Sequence, residues 1–199
     1  PEHHSESTEA FFAHQPGLKV AMPSTPHDAK GLLAAAIRDP DPVVFLEPKL
    51  IYRSFREEVP TESYTVPLGE ASVRREGTDV SVFTWGAMTR PTLDAAENLA
   101  DEGISCEVVD LRTLWPLDEE AIRDSFQKTG RAVVVHEAPK SGGIAAEIVA
   151  TLQDDVLYQE APVGRVTGFD VPFPLYSTED YYLPEAARIE DQIRETVEF

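Results

Sequence analysis

The stretch STPHDAKGLLAAAIRDPDPVVFLE, residues 24–47, decides the fold class. Thr25 is a good helix cap and Pro26 suits the first helical position, where a missing N–H costs nothing. Leu32, Leu33, Ala36 and Ile37 then recur at helical spacing. Asp39-Pro40-Asp41-Pro42 ends the helix. Val43-Val44-Phe45-Leu46 follows as an unbroken apolar run, the pattern of a strand buried on both faces. Upstream, LKVAMP (18–23) reads as another short strand. Strand, helix, strand in that order predicts a parallel pair with the helix packed on its face.

The same alternation extends outward. STEAFFAHQPG (7–17) reads as a short helix, capped by Ser7 or Thr8 and stopped at Pro16-Gly17. Residues 57–68 carry charges, prolines and no steady period, and we read 58–68 as a linker. Beyond it, strands are predicted at 71–75, 80–85, 106–111, 132–136 and 164–167. Helices are predicted at 88–101, 118–127, 143–153 and 184–197. The class is α/β, with a mixed, mostly parallel sheet and helices on both faces over residues 69–199. Residues 1–57 hold about two strands, too little for an independent core. They read as the end of a larger α/β domain.

Composition excludes several functions. Thirty-six acids face 17 bases, a formal charge of −19. The acids are dispersed over turns and helix faces, as in Glu97, Asp101, Glu102, Asp118 and Glu119. Such a surface repels nucleic acid phosphates. Only Lys19, Lys30, Lys49, Lys128 and Lys140 are lysines. A lysine-poor acidic surface fits a halophilic protein, because concentrated salt screens the repulsion almost to contact distance. Cys106 is the single cysteine, so no intrachain disulfide forms and a reducing, cytoplasmic setting is expected. No apolar run reaches the roughly 18 residues of a membrane span.

Four motifs carry candidate chemistry. His3 and His4 stand together near the start, and an isolated pair of this kind reads as a solvated loop. His136 and Glu137 end a buried strand, which is where ligands bind in open α/β sheets. A strand-end His-Glu pair is also a common polar corner. Gly142-Gly143 opens a helix without the spacing of a phosphate-binding loop, and reads as a tight turn. The acidic turn after Ile37 offers carboxylates and helix-end carbonyls to a hard cation, though most such turns hold water.

Longer motifs carry a resemblance. HSES (4–7), PGLKV (16–20), PVVFLEPK (42–49), YTVPLGEA (64–71), DLRTLWPLD (110–118) and VVVHEAPKSGG (133–143) follow in the order and spacing of one family. The chain resembles the β subunit of the thiamine-diphosphate-dependent 2-oxoacid dehydrogenases, of pyruvate or branched-chain type. The resemblance implies the end of a pyrimidine-binding domain (1–57) followed by a transketolase C-terminal-like domain (69–199). It implies oxidative decarboxylation of a 2-oxoacid, with acyl transfer to a lipoyl acyltransferase. It implies an α subunit partner in an α2β2 heterotetramer, and thiamine diphosphate with magnesium shared with that subunit. The glutamate that contacts the cofactor's pyrimidine is expected outside this chain, which alone is expected to be inactive.

The resemblance also assigns residues. His4 falls at the family's active-site histidine, beside cofactor and lipoyl group, whereas His3 lies outside the pattern. Glu6 stands where the family more often has glutamine. Ala36, Asp39 and Asp41 fall at a potassium site held mainly by carbonyl oxygens. Glu160 and the carboxylate of Phe199 fall where the acyltransferase's subunit-binding domain docks. Two alternatives remain open: a non-catalytic module that docks the acyltransferase core, and the C-terminal part of another transketolase-like thiamine enzyme.

Overall fold

The computed structural model describes residues 4–199. The front piece consists of α1 (Glu9–Ala13), β1 (Lys19–Ala21), α2 (Pro26–Arg38) and β2 (Val43–Phe45). Then come β3 (Ser72–Arg75), β4 (Val80–Thr84), α3 (Thr89–Ala100), β5 (Cys106–Asp110), β6 (Thr113–Trp115) and α4 (Glu119–Thr129). β7 (Ala132–Pro139), α5 (Ile144–Leu152), β8 (Gly164–Gly168), α6 (Glu179–Tyr182) and α7 (Ala186–Val197) complete the chain.

The α2 helix forms as its sequence dictates. The Thr25 hydroxyl accepts the Asp28 N–H at 3.1 Å, and Pro26 sits at the first turn. Residues 58–68 contain no helix or strand, yet they are tied down along α2. The Lys30 ammonium donates to the carbonyl of Glu62 at 2.9 Å, and the Tyr64 hydroxyl donates to that of His27 at 2.9 Å. A Cβ at Gly31 would lie 2.8 Å from the Tyr64 ring, so this close approach requires glycine.

Two sheets result. The larger has the order β3-β5-β4-β7-β8, parallel except for β3 at its edge. Its central strands are buried on both faces. Val80, Val82, Val133 and Val135 meet α3 and α7, where Leu99, Ile189 and Ile193 are fully buried. Phe83, Val109 and Val134 point the other way, onto Ile122, Phe126 and Ile148 of α4 and α5. Each such side chain stabilises the fold by about 1.5–3 kcal/mol relative to exposure.

The smaller sheet has the order β2-β1-β6. β1 and β2 are the expected parallel pair, with Val20 opposite Val44. β6 belongs to the second half of the chain, however, and adds antiparallel to β1, with Ala21 opposite Thr113. The sequence reading has no strand there. The cause is local: Arg112 takes a positive φ of 56° and breaks the path after β5, leaving only three residues to pair. The front piece thus completes its sheet with a strand from the other half.

A buried ionic junction reinforces that exchange. Asp110, at the end of β5, is fully buried. It accepts from Arg74 of β3 at 2.9 and 3.2 Å and from the Ser24 hydroxyl of the front piece. Arg74 also contacts Asp28 of α2, and Arg112 reaches Asp28 at 3.3 Å. Arg112 further donates to the carbonyls of Glu70 and Ala71 at 2.8–3.1 Å. Burial pushes the Asp28 carboxyl up, but the pull of Arg74 and Arg112 outweighs it and holds the group below the ordinary range. At Asp110 burial wins over Arg74, and the carboxyl is raised.

Removing one partner of such a network strands buried charge, which costs about 3–5 kcal/mol. Arg74→Met should therefore lower the unfolding free energy by about 3 kcal/mol in a urea titration. Arg90→Met removes an exposed contact to Asp94 of 3.4 Å and should cost less than about 0.5 kcal/mol.

Candidate active site

The C-terminal ends of β4, β7 and β8 lie on one side of the large sheet, and the front piece crosses them. His4 lies there, exposed. It lines a cavity of about 250 Å³ together with Ser5, Lys49, Glu137, Phe173 and Glu179. A larger neighbouring cavity of about 730 Å³ shares Ser5 and Phe173, and is walled by Phe11, His14, Gly142 and Tyr182. Crevices beyond the carboxyl ends of parallel strands are the usual ligand sites of such sheets. His3 lies outside the described residues. A separate cavity of about 380 Å³, between α2 and the Lys49–Ile51 turn, is lined mainly by apolar groups such as Leu33, Phe45 and Phe55.

Beneath His4 the front piece is bonded to the strand ends. The Ser7 hydroxyl donates to Glu137 Oε1 at 2.8 Å. It therefore does not cap α1; Thr8 stands at that position and makes no side-chain cap bond. Glu9, in the first turn of α1, is buried, 1% exposed. One of its oxygens accepts the Trp85 indole N–H at 3.3 Å, and the other has no partner among the described residues. Burial, aided by repulsion from Glu137, pushes the Glu9 carboxyl up to about 6. Burial raises Glu137 too, against the opposing bond from Ser7.

Trp85 stacks on His136, with ring centroids 5.1 Å apart and planes within 13°. His136 is fully buried, and neither ring nitrogen has a hydrogen-bond partner among the described residues. Burial, then the positive charge of Arg165, lowers it to about 4, with the Ala138 backbone offsetting part of the effect. Gly143 packs against this ring, where a Cβ would sit 3.1 Å from Cε1. The glycine pair thus serves close packing at the start of α5.

The other assigned residues lie elsewhere. At the acidic turn, Lys19 Nζ is 2.8 Å from Asp39 and 3.2 Å from Asp41. The Ala36 carbonyl accepts the Asp39 N–H at 3.3 Å. A cation therefore already bridges the two carboxylates, and it is a lysine. Glu160 pairs with Arg131 at 2.6 Å while remaining half exposed. Phe199 is exposed after the end of α7. Among the described residues no cluster of three or more His, Cys, Asp or Glu is arranged to hold a metal.

Comparison with known proteins defines the class. Residues 69–189 match the transketolase C-terminal domain, and residues 1–54 match the transketolase pyrimidine-binding domain. The chain belongs to the transketolase C-terminal domain family, with pyrimidine-domain sequence ahead of it. Within that class it is 54% identical, over 200 residues, to the pyruvate dehydrogenase E1 component subunit beta of Bacillus subtilis (strain 168), covering all of this chain and 62% of that protein. It is 52% identical to the mitochondrial 2-oxoisovalerate dehydrogenase subunit beta of Dictyostelium discoideum, covering 98% of this chain and 53% of that one. Among solved structures, a split-gene transketolase described as an inactive β4 tetramer aligns with a TM-score of 0.79 and 26% identity, over 96% of this chain and 60% of its own. The chain thus spans between 53% and 62% of the length of the two curated relatives.

The buried groups make stability depend on pH with opposite signs. Unfolded, His136 takes a proton below its ordinary 6.5, but folded it does so only near 4. Its contribution is lost as pH falls through that window. Unfolded, Glu9 ionises above its ordinary 4.5, but folded it does so only near 6. Its contribution is lost as pH rises through that window. Moving from pH 4.5 to 7, Glu9→Gln should gain about 1.5 kcal/mol relative to wild type. His136→Phe should lose about 2 kcal/mol of relative stability over the same interval. Chemical denaturation at the two pH values measures both.

Proposed function

We propose that this chain is part of the β subunit of a 2-oxoacid dehydrogenase E1 component. In this reading it works with an α subunit, in an α2β2 assembly, to decarboxylate a 2-oxoacid and pass the acyl group to a lipoyl acyltransferase. The observation that carries the reading is similarity above 50% over essentially the whole chain to β subunits of both the pyruvate and the branched-chain enzymes. The structural likeness to a split-gene transketolase supports the same architecture. At 26% identity it favours the transketolase-type alternative less than the curated relatives favour a dehydrogenase.

Thiamine diphosphate, when bound, supplies the nucleophilic carbon and the electron sink for decarboxylation. The residues present fit a supporting wall for its reacting end, because His4, Ser5 and Glu137 line one small cavity at the strand ends. The resemblance places the diphosphate and its magnesium on the α subunit. His4 is the proton donor to a lipoyl sulfur as the acyl group arrives, since an imidazole gives and takes protons near neutrality. The apolar walls of Phe11, Phe173 and Tyr182 suit an acyl chain and limit water.

The remaining assignments follow the same reading. Ala36, Asp39 and Asp41 are read as a potassium site held mainly by carbonyl oxygens, since Lys19 already matches the two carboxylates; no step depends on such an ion. Glu160 and the Phe199 carboxylate are read as the docking point for a basic subunit-binding domain of the acyltransferase. The −19 charge supports a salt-adapted protein, and the lone buried Cys106 fits a reducing cytoplasm. No helix among the described residues is long and apolar enough to cross a membrane.

In the full-length β subunit assembled with α, His4→Ala should lower acyl transfer to a lipoyl domain by about 10²–10⁴-fold. Thiamine diphosphate affinity by calorimetry and decarboxylation with an artificial electron acceptor should be nearly unchanged. Lost cofactor binding with intact transfer would reverse the assignment. Deleting Phe199, or making Glu160→Gln, should weaken binding of the subunit-binding domain and flatten its dependence on salt. Unchanged affinity across a salt series in both variants removes the docking proposal.

A further inference from the structure

We propose that Glu137 is a positioning residue of the active centre: by accepting the Ser7 hydroxyl it fixes the segment that carries His4 across the end of β7. The inference deepens the proposed function and rests on it for the role of His4.

The geometry is specific. Residues 4–8 form neither helix nor strand, so regular backbone pairing does not hold them. The Ser7–Glu137 bond, 2.8 Å long and spanning 130 positions, ties this segment to the sheet. Glu137 and His4 also line the same cavity. A single hydrogen bond to an ionised acceptor is stronger than one to a neutral acceptor, so the charge on Glu137 sets the grip on the segment. The neighbouring acid Glu9 feels the charge of Glu137. Its own position is fixed by the Trp85 indole, and Trp85 by the His136 ring. Two carboxyls that repel one another in a poorly hydrated place release their protons in separate steps.

The charged and titratable groups around the anchor come from several elements. Lys49 and Glu179 face it across the cavity. Tyr182 of α6 is held up by burial and then by the negative charges of Glu137, Asp170 and Glu9. His136 and Arg165 lie on β7 and β8.

The test uses the full-length β subunit assembled with α, with two readouts. The first is hydrogen–deuterium exchange of peptides spanning residues 4–13, which needs no turnover. Ser7→Ala and Glu137→Ala should speed exchange there at least several-fold, with core peptides of β4 and β7 unchanged. Ser7→Thr retains the donor and should stay close to wild type at neutral pH, whereas Glu137→Gln keeps only a neutral acceptor and should exchange at a rate between those of wild type and Glu137→Ala. The second is acyl transfer to a lipoyl domain against pH. Ser7→Ala should lower kcat about tenfold with little change in KM for the oxoacid. Glu137→Gln should remove the acid limb of kcat.

Unchanged exchange in Ser7→Ala, or an acid limb left in place by Glu137→Gln, would overturn the proposal. Should Glu137→Ala fail to fold, Ser7→Ala and Glu137→Gln still decide the matter. If the wild-type assembly decarboxylates no 2-oxoacid, the proposed function fails, while the exchange readout still tests the anchor separately.

Discussion

The rest of the structure depends on the buried contact between Arg74, Asp28 and Asp110. These three residues come from β3, α2 and β5, and so from both halves of the chain. Charge taken out of water stays favourable only when each oxygen and each N–H finds a partner. Here Ser24 and Arg112 complete the set. Neither half keeps that satisfaction alone. Separation would leave Asp110 beside one arginine, and Asp28 without Arg74 and Arg112, facing only the His27 ring at 3.5 Å from its own helix. The same surface is where β6 leaves the second half to pair with β1. Ionic pairing and strand exchange therefore act at one place and fix one orientation.

That orientation creates the candidate site. With Ser24 bonded to Asp110 and the Met22 N–H to the Arg112 carbonyl at 2.8 Å, the front piece must lie across the carboxyl ends of the parallel strands. Its opening segment then passes over β4 and β7, where Ser7 finds Glu137 and Glu9 finds Trp85. The cost is a pair of poorly hydrated carboxyls and a buried imidazole without hydrogen-bond partners among the described residues. Groups in such surroundings shift away from their ordinary ionisation and respond to one another, which is the usual condition of residues around a reaction centre.

The sequence showed much of the architecture because local signals agreed with the tertiary outcome. The cap at Thr25, the valine runs of β4, β5 and β7, and the helical spacing on α3, α4, α5 and α7 all describe elements that packing then uses unchanged. β6 was illegible because three residues after a positive-φ turn carry no periodicity. The site was legible only through long motifs. His4 came from the resemblance, and His136 and Glu137 from their strand-end position. Ser7 was offered as a cap beside Thr8, and the burial of Glu9 was not foreseen, since nothing local announces that the larger sheet covers the start of α1. Lys19 was overlooked at the acidic turn because its partners lie twenty and more residues away, brought together only when β1 and β2 pair.

The central claim is that the front piece and the larger sheet form one cooperative unit through their shared junction. Scanning calorimetry of residues 1–199 tests it most directly, by comparing calorimetric with van't Hoff enthalpy. The account predicts a single transition with the two enthalpies equal. Two separable transitions, the smaller lost without affecting the larger, would contradict it.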